Sequence, residues 1–90
     1  MVAYSNSICL VVAGNYNQYV EFVKKFAPNS AHRTKYVSKE IDYMGFFNIE
    51  KVALVGTYDR NPIMNQSLAL QRFIDYVETH SVGSIQFVHY

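Results

Sequence analysis

The chain has 90 residues, a net charge of +1 and only 17% charged residues, with 50% hydrophobic and 16% aromatic residues. That is length for one domain, and no basic run exceeds Lys24-Lys25, so a non-specific nucleic-acid patch is not indicated. Cys9 is the sole cysteine, which rules out an internal disulfide and a cysteine metal cluster and reads as a cytoplasmic chain.

Ser7 to Ala13 forms a continuous apolar run closed by Gly14. Its β-branched content predicts a strand buried on both faces, as in a parallel sheet. The apolar part is too short to span a membrane, which takes about 20 residues. It also lacks the charged leader and cleavage site of a signal peptide. Asn15 then offers a helix N-cap, with Gln18 three residues on as in a capping box. Tyr16, Tyr19, Val20, Val23, Phe26 and Ala27 recur at helical spacing and predict one buried stripe. Lys24-Lys25 suits the negative helix end, and Pro28 stops the helix.

Thr34 to Val37 reads as a short second strand. Ser38 is placed to cap a brief helix from Lys39 to Met44, closed by Gly45. Lys51 to Tyr58 repeats the pattern of an apolar run and a glycine, and predicts another central strand. Asn61-Pro62 looks like an N-cap followed by proline at the first helical position. The helix predicted from there runs to Thr79, with Ile63, Leu70, Phe73, Ile74 and Val77 facing the core. Ser84 to Val88 alternates and reads as a final edge strand.

Strands alternating with helices imply an α/β fold: a small three-layer Rossmann-like domain over residues 1–90, with a mostly parallel four-stranded sheet. The first and third strands are the most apolar, which predicts the order 2-1-3-4. Leu10, Val12, Val20, Val23, Val52, Leu54, Phe73, Ile74 and Val77 are expected to be buried together.

In such sheets a ligand sits outside the strand carboxyl ends, where strand order reverses. The residues placed there are Asn15, Tyr16, Thr57, Tyr58 and Arg60. Helix N–H groups would hold an anion, Arg60 would neutralise a phosphate, and Tyr16 and Tyr58 would sandwich a base. Against this, a glycine after a buried strand is ordinarily there for the turn. No G-x-G-x-x-G or P-loop pattern is present, and Glu40 stands one turn late for a ribose carboxylate. No cofactor is indicated by name. His32, His80 and His89 are scattered, so no metal site is expected, and His80 is placed to complement a helix dipole. Cys9 falls inside a central strand, where thiols are inert. Asp59 follows a central strand but is offset by Arg60, read as a loop ion pair, and no catalytic set is assembled.

The runs Val12-Ala13-Gly14-Asn15-Tyr16, Tyr36-Val37-Ser38 and Val55-Gly56-Thr57-Tyr58 resemble small phage and bacterial Rossmann-like proteins whose strands end in G-N-Y and V-G-T-Y. The resemblance spans residues 8 to 61 and implies the fold and a viral source, without an activity. Three functions remain open. They are a non-enzymatic interaction or accessory protein that binds a protein partner or itself as a homodimer, a binder of a small anionic ligand such as a nucleotide, and an enzyme using Asp59.

Overall fold

The structure is a computed structural model that describes residues 7–90. Its strands are β1 (Ile8–Ala13), β2 (Thr34–Tyr36), β3 (Ile49–Val55) and β4 (Phe87–His89). The helices are α1 (Tyr16–Phe26), α2 (Glu40–Tyr43) and α3 (Ser67–Thr79), and 3-10 turns occupy Ala31–Arg33 and Tyr58–Arg60. All four strands are parallel, in the order β2-β1-β3-β4. This is the expected α/β sheet in the expected order. β1 and β3 are central because both their faces are apolar, and β1 is buried along its whole length.

Right-handed crossovers send α1 to one face and α2 and α3 to the other. The sheet therefore divides the core. Leu10, Val12, Val52 and Leu54 pack with Tyr43, Phe73 and Val77 on the α3 side. Cys9, Val11, Ala13, Ala53 and Val55 pack with Phe22 on the α1 side. The nine residues expected in one cluster are thus split. Val23 belongs to the α1 side, and Val20 and Ile74 are only half-buried.

The stripe of α1 is also rotated from the expected one. Its buried residue is Phe22, flanked by Tyr19 and Val23. Tyr16 is 59% exposed and Phe26 51%. A helix turns about 100° per residue, so Tyr19, Phe22, Val23 and Phe26 form a tighter stripe than the expected one, which included Tyr16, Val20 and Ala27 and left out Phe22. Phe26 reaches the protein only at its flank, where its ring meets Phe22 and Tyr90 at 5.5 and 5.0 Å.

Several of the expected boundaries move. β2 stops at Tyr36, and α2 starts one residue later than read, after Lys39. Ser38 does not cap it. Instead the Asp42 carboxylate reaches back to accept from the backbone N–H of Ser38 and Lys39, at 3.0 and 3.2 Å. β3 begins at Ile49 and ends at Val55, because Gly56 turns the chain with φ +56°. α3 does not start at Pro62 but at Ser67. Asn61 does begin a turn, its carbonyl accepting from Met64 and Asn65 N–H, but its side chain is fixed in the interior and the chain closes a tight loop before the helix.

After α3 the chain first touches β3 at Ser81, opposite Ile49, then leaves and rejoins it as β4. That detour delays β4 to Phe87, three residues later than the alternation suggests. Tyr76 ties α3 to the loop before β3, donating to Phe46 O and accepting from Gly45 N–H.

Phe22→Ala is expected to cost about 3–5 kcal/mol and Leu54→Ala about 2–5 kcal/mol, one cavity on each face of the sheet. Exposed Tyr16→Ala should stay within about 1 kcal/mol. Urea denaturation reads all three, and a loss under about 0.5 kcal/mol at Leu54 would show that β3 is not central.

Candidate functional site

The strand-end crevice lies between β1 and β3, where the crossover direction reverses. Gly14 follows β1 and Gly56 follows β3. The two turns approach so closely that a Cβ on Gly14 would run into Thr57 Oγ1 and one on Gly56 into the Gln18 carboxamide. The glycines are required by this approach and, at Gly56, by the left-handed backbone.

The crevice is filled by Gln18. Its Oε1 accepts from Gly14 N–H at 2.8 Å and from Thr57 N–H at 3.1 Å. Its Nε2 donates to Thr57 Oγ1 at 3.0 Å. Gln18 was read as the second half of a capping box, which would send its side chain back to Asn15. Only the first half forms, with Asn15 Oδ1 accepting from Gln18 N–H at 2.9 Å. The side chain crosses to the β3 loop instead, because two converging N–H groups there need an acceptor.

On the other side of β1, Asn61 is completely buried. Its Nδ2 donates to Ala13 O and to Val37 O, both at 2.8 Å, and its Oδ1 accepts from Ile63 N–H at 3.0 Å. One carboxamide thereby joins the carboxyl ends of β1 and β2 to the loop after β3. Among the described residues no buried side-chain nitrogen or oxygen is left without a partner.

The five expected site residues are distributed around this point. Asn15 and Thr57 are at the crevice, bound to Gln18. Tyr16 leans toward β2, its ring 5.6 Å from both Tyr19 and Tyr36. Tyr58 packs against the α3-side core and meets His89 edge-on at 5.3 Å. Tyr16 and Tyr58 therefore sit on opposite faces of the sheet and do not face each other as a sandwich. Arg60 is exposed. The expected Asp59–Arg60 ion pair is not formed; among the described residues the ion pair found is Arg72–Glu40, at 3.7 Å.

The other titratable candidates fall into structural roles. His80 caps the C-terminus of α3, its Nδ1 2.9 Å from Tyr76 O, and stacks on the Tyr76 ring at 4.0 Å. His89 lies on β4 and His32 in a surface turn. No group of three or more His, Cys, Asp or Glu among the described residues is placed to hold a metal. Cys9 is buried, and burial pushes its thiol up to about 11. No helix among the described residues is long and apolar enough to cross a membrane.

Two clefts flank the crevice. One of about 310 Å³ lies between α2 and the start of α3, lined by Lys39, Tyr43, Ile63, Leu68 and Arg72. The other, about 670 Å³, runs between α1 and the end of β3, lined by Gln18, Phe22, Phe26, Val55 and Tyr90. No family model, curated protein or solved structure matches the chain.

Asn61→Ala is expected to destabilise by about 3 kcal/mol or more, since each buried group left unpaired costs about 1–3 kcal/mol. Gln18→Ala should cost about 1 kcal/mol, because water reaches the N–H groups it vacates. Chemical denaturation distinguishes the two, and equal losses would contradict the burial difference. At pH 8 the Cys9 thiol is protonated and shielded, so iodoacetamide should label it only after unfolding; fast labelling of the native protein by mass spectrometry would contradict its burial.

Proposed function

We propose that the protein is a non-enzymatic interaction module, an accessory factor of phage or bacterial origin that acts by binding a protein partner. The observation that carries this reading is the apolar surface around α2. Ile41, Met44, Phe47 and Leu68 are each more than half exposed. The first three recur every third residue through α2 and the loop after it. Exposed large apolar side chains grouped in this way are characteristic of protein contact surfaces. The closed crevice supports the same reading, because the N–H groups of Gly14 and Thr57 that would receive a ligand already donate to Gln18 Oε1.

A second reading has one specific observation in its favour. Gly14 N–H, Thr57 N–H and Thr57 Oγ1 converge on a single acceptor atom within 2.8–3.3 Å. A phosphate oxygen could take that position if Gln18 swung outward, with Arg60 supplying charge from the adjacent loop.

Native mass spectrometry of protein purified from its own host separates these readings. A co-purified protein partner or second copy is expected; a retained nucleotide or phosphate compound would overturn the first reading. A thermal-shift screen with mononucleotides, dinucleotides and sugar phosphates tests the second. A ligand at a hundred times its Kd stabilises by about 2.7 kcal/mol, and Arg60→Ala should weaken it about tenfold to a hundredfold. If no compound moves the wild-type melting curve, the anion reading falls.

A further inference from the structure

Among the strands, β4 pairs with β3 alone. Gln86 O accepts from Val52 N–H and Tyr90 N–H donates to Leu54 O, both at 2.9 Å. Backbone groups alternate along a strand, so residues 86, 88 and 90 face β3. The N–H and C=O groups of Phe87 and His89 consequently point away from the sheet. An edge of this kind invites another strand unless lysine, proline, a bulge or a covering element blunts it. The opposite edge is blunted, with Lys35 at the centre of β2 and Arg33 just before it. The run Gln86-Phe87-Val88-His89-Tyr90 has no lysine, arginine, acid or proline. Phe87 and Tyr90 remain 39% and 40% exposed.

Side chains in this run alternate between the two faces. Phe87 and His89 are in register with Val52 and Leu54, on the α3 side. Val88 is in register with Ala53, on the α1 side. Tyr90 is on that side as well, its ring 4.8 Å from Phe22. We propose that β4 is a homodimer edge, at which two copies pair antiparallel about a two-fold axis through Val88 and form one eight-stranded sheet.

The inference rests on the interaction reading above and names the partner. A second copy fits because the run is self-complementary about its centre. Phe87 falls opposite His89 of the other copy, and both exchange N–H to O=C bonds, giving four bonds across the axis. The same register sets Phe87 beside an imidazole on the α3 side. It sets Val88 against Val88 and Tyr90 against Gln86 on the α1 side, pairings that suit neighbouring strands. A net charge of +1 adds little repulsion between copies. So short an interface is at the weak end of dimers, populated at micromolar concentration and above.

Sedimentation equilibrium from about 1 to 200 µM, spanning that weak-dimer range, should show a monomer–dimer exchange. His89→Pro removes an outward N–H while leaving the bonds to β3 intact, and should hold the chain monomeric across that range with its circular dichroism unchanged. His89→Ala keeps the N–H and should still dimerise. Val88→Cys sets two thiols in a non-hydrogen-bonded pair, with Cα atoms about 4.5 Å apart. It should give a covalent dimer on mild oxidation, whereas Gln86→Cys should not. A wild-type monomer at 200 µM, a dimer that survives His89→Pro, or equal cross-linking of the two cysteine variants would each overturn the proposal. A monomer that nevertheless co-purifies with a different protein would refute this edge pairing alone and leave the interaction reading standing.

Discussion

The hydrogen bonds of Asn61 hold together the carboxyl end of the sheet, on which the strand order and the path toward α3 depend. A parallel sheet leaves its strand-end carbonyls pointing out of the ladder, and here two of them, on Ala13 and Val37, are buried. Buried carbonyls need donors. A single carboxamide supplies both, and its oxygen starts the turn that carries the chain toward α3. Replacing it with a hydrophobic side chain would leave three main-chain groups unpaired, so the loop after β3 has no freedom to open there. Gln18 performs the mirror task on the other side of β1, accepting where Asn61 donates.

Much of the fold was legible from pattern. Strand order followed from the two fully apolar runs, because only central strands are apolar on both faces. The splitting of the core was not, since periodicity identifies a buried residue without saying which side of a sheet it reaches. Val23 and Phe73 obey the same helical rule and lie on opposite faces. Asn61 was visible as a cap followed by proline, and it does start a turn. What the local signal could not show was that its side chain is consumed by two carbonyls distant in sequence, 48 and 24 residues away. That long-range demand displaced the helix start to Ser67.

The candidate site divides in the same way. Its location was legible, because it depends on topology alone, and both glycines lie where the strands end. Its contents were not. Asn15 to Gln18 is the spacing of a capping box, and half of that box forms; whether the glutamine returns to its own helix or crosses to Thr57 is decided by a loop 39 residues away. The tyrosines illustrate the limit from the other direction. Tyr16 and Tyr58 follow equivalent strand ends in sequence, yet the crossovers after β1 and β3 leave toward opposite faces, which separates the rings.

The aromatic content has a distribution that follows from size. A chain of this length buries a modest fraction of its surface, and α1 covers β1, β2 and β3 on one face, with Phe22 against Ala53 and Val55. The flank of that face toward β4 is occupied by Tyr90, whose ring lies against Phe22 and Phe26 and whose hydroxyl accepts from Lys51 Nζ at 2.7 Å. Burial on one side of Tyr90 thus comes from α1, and nothing among the described elements supplies the equivalent on the outer side of β4. A helix packed there would close that side of the sheet. The inward backbone groups of this strand are taken up by β3, at Gln86 O and Tyr90 N–H among others, while the N–H and C=O groups of Phe87 and His89 face outward.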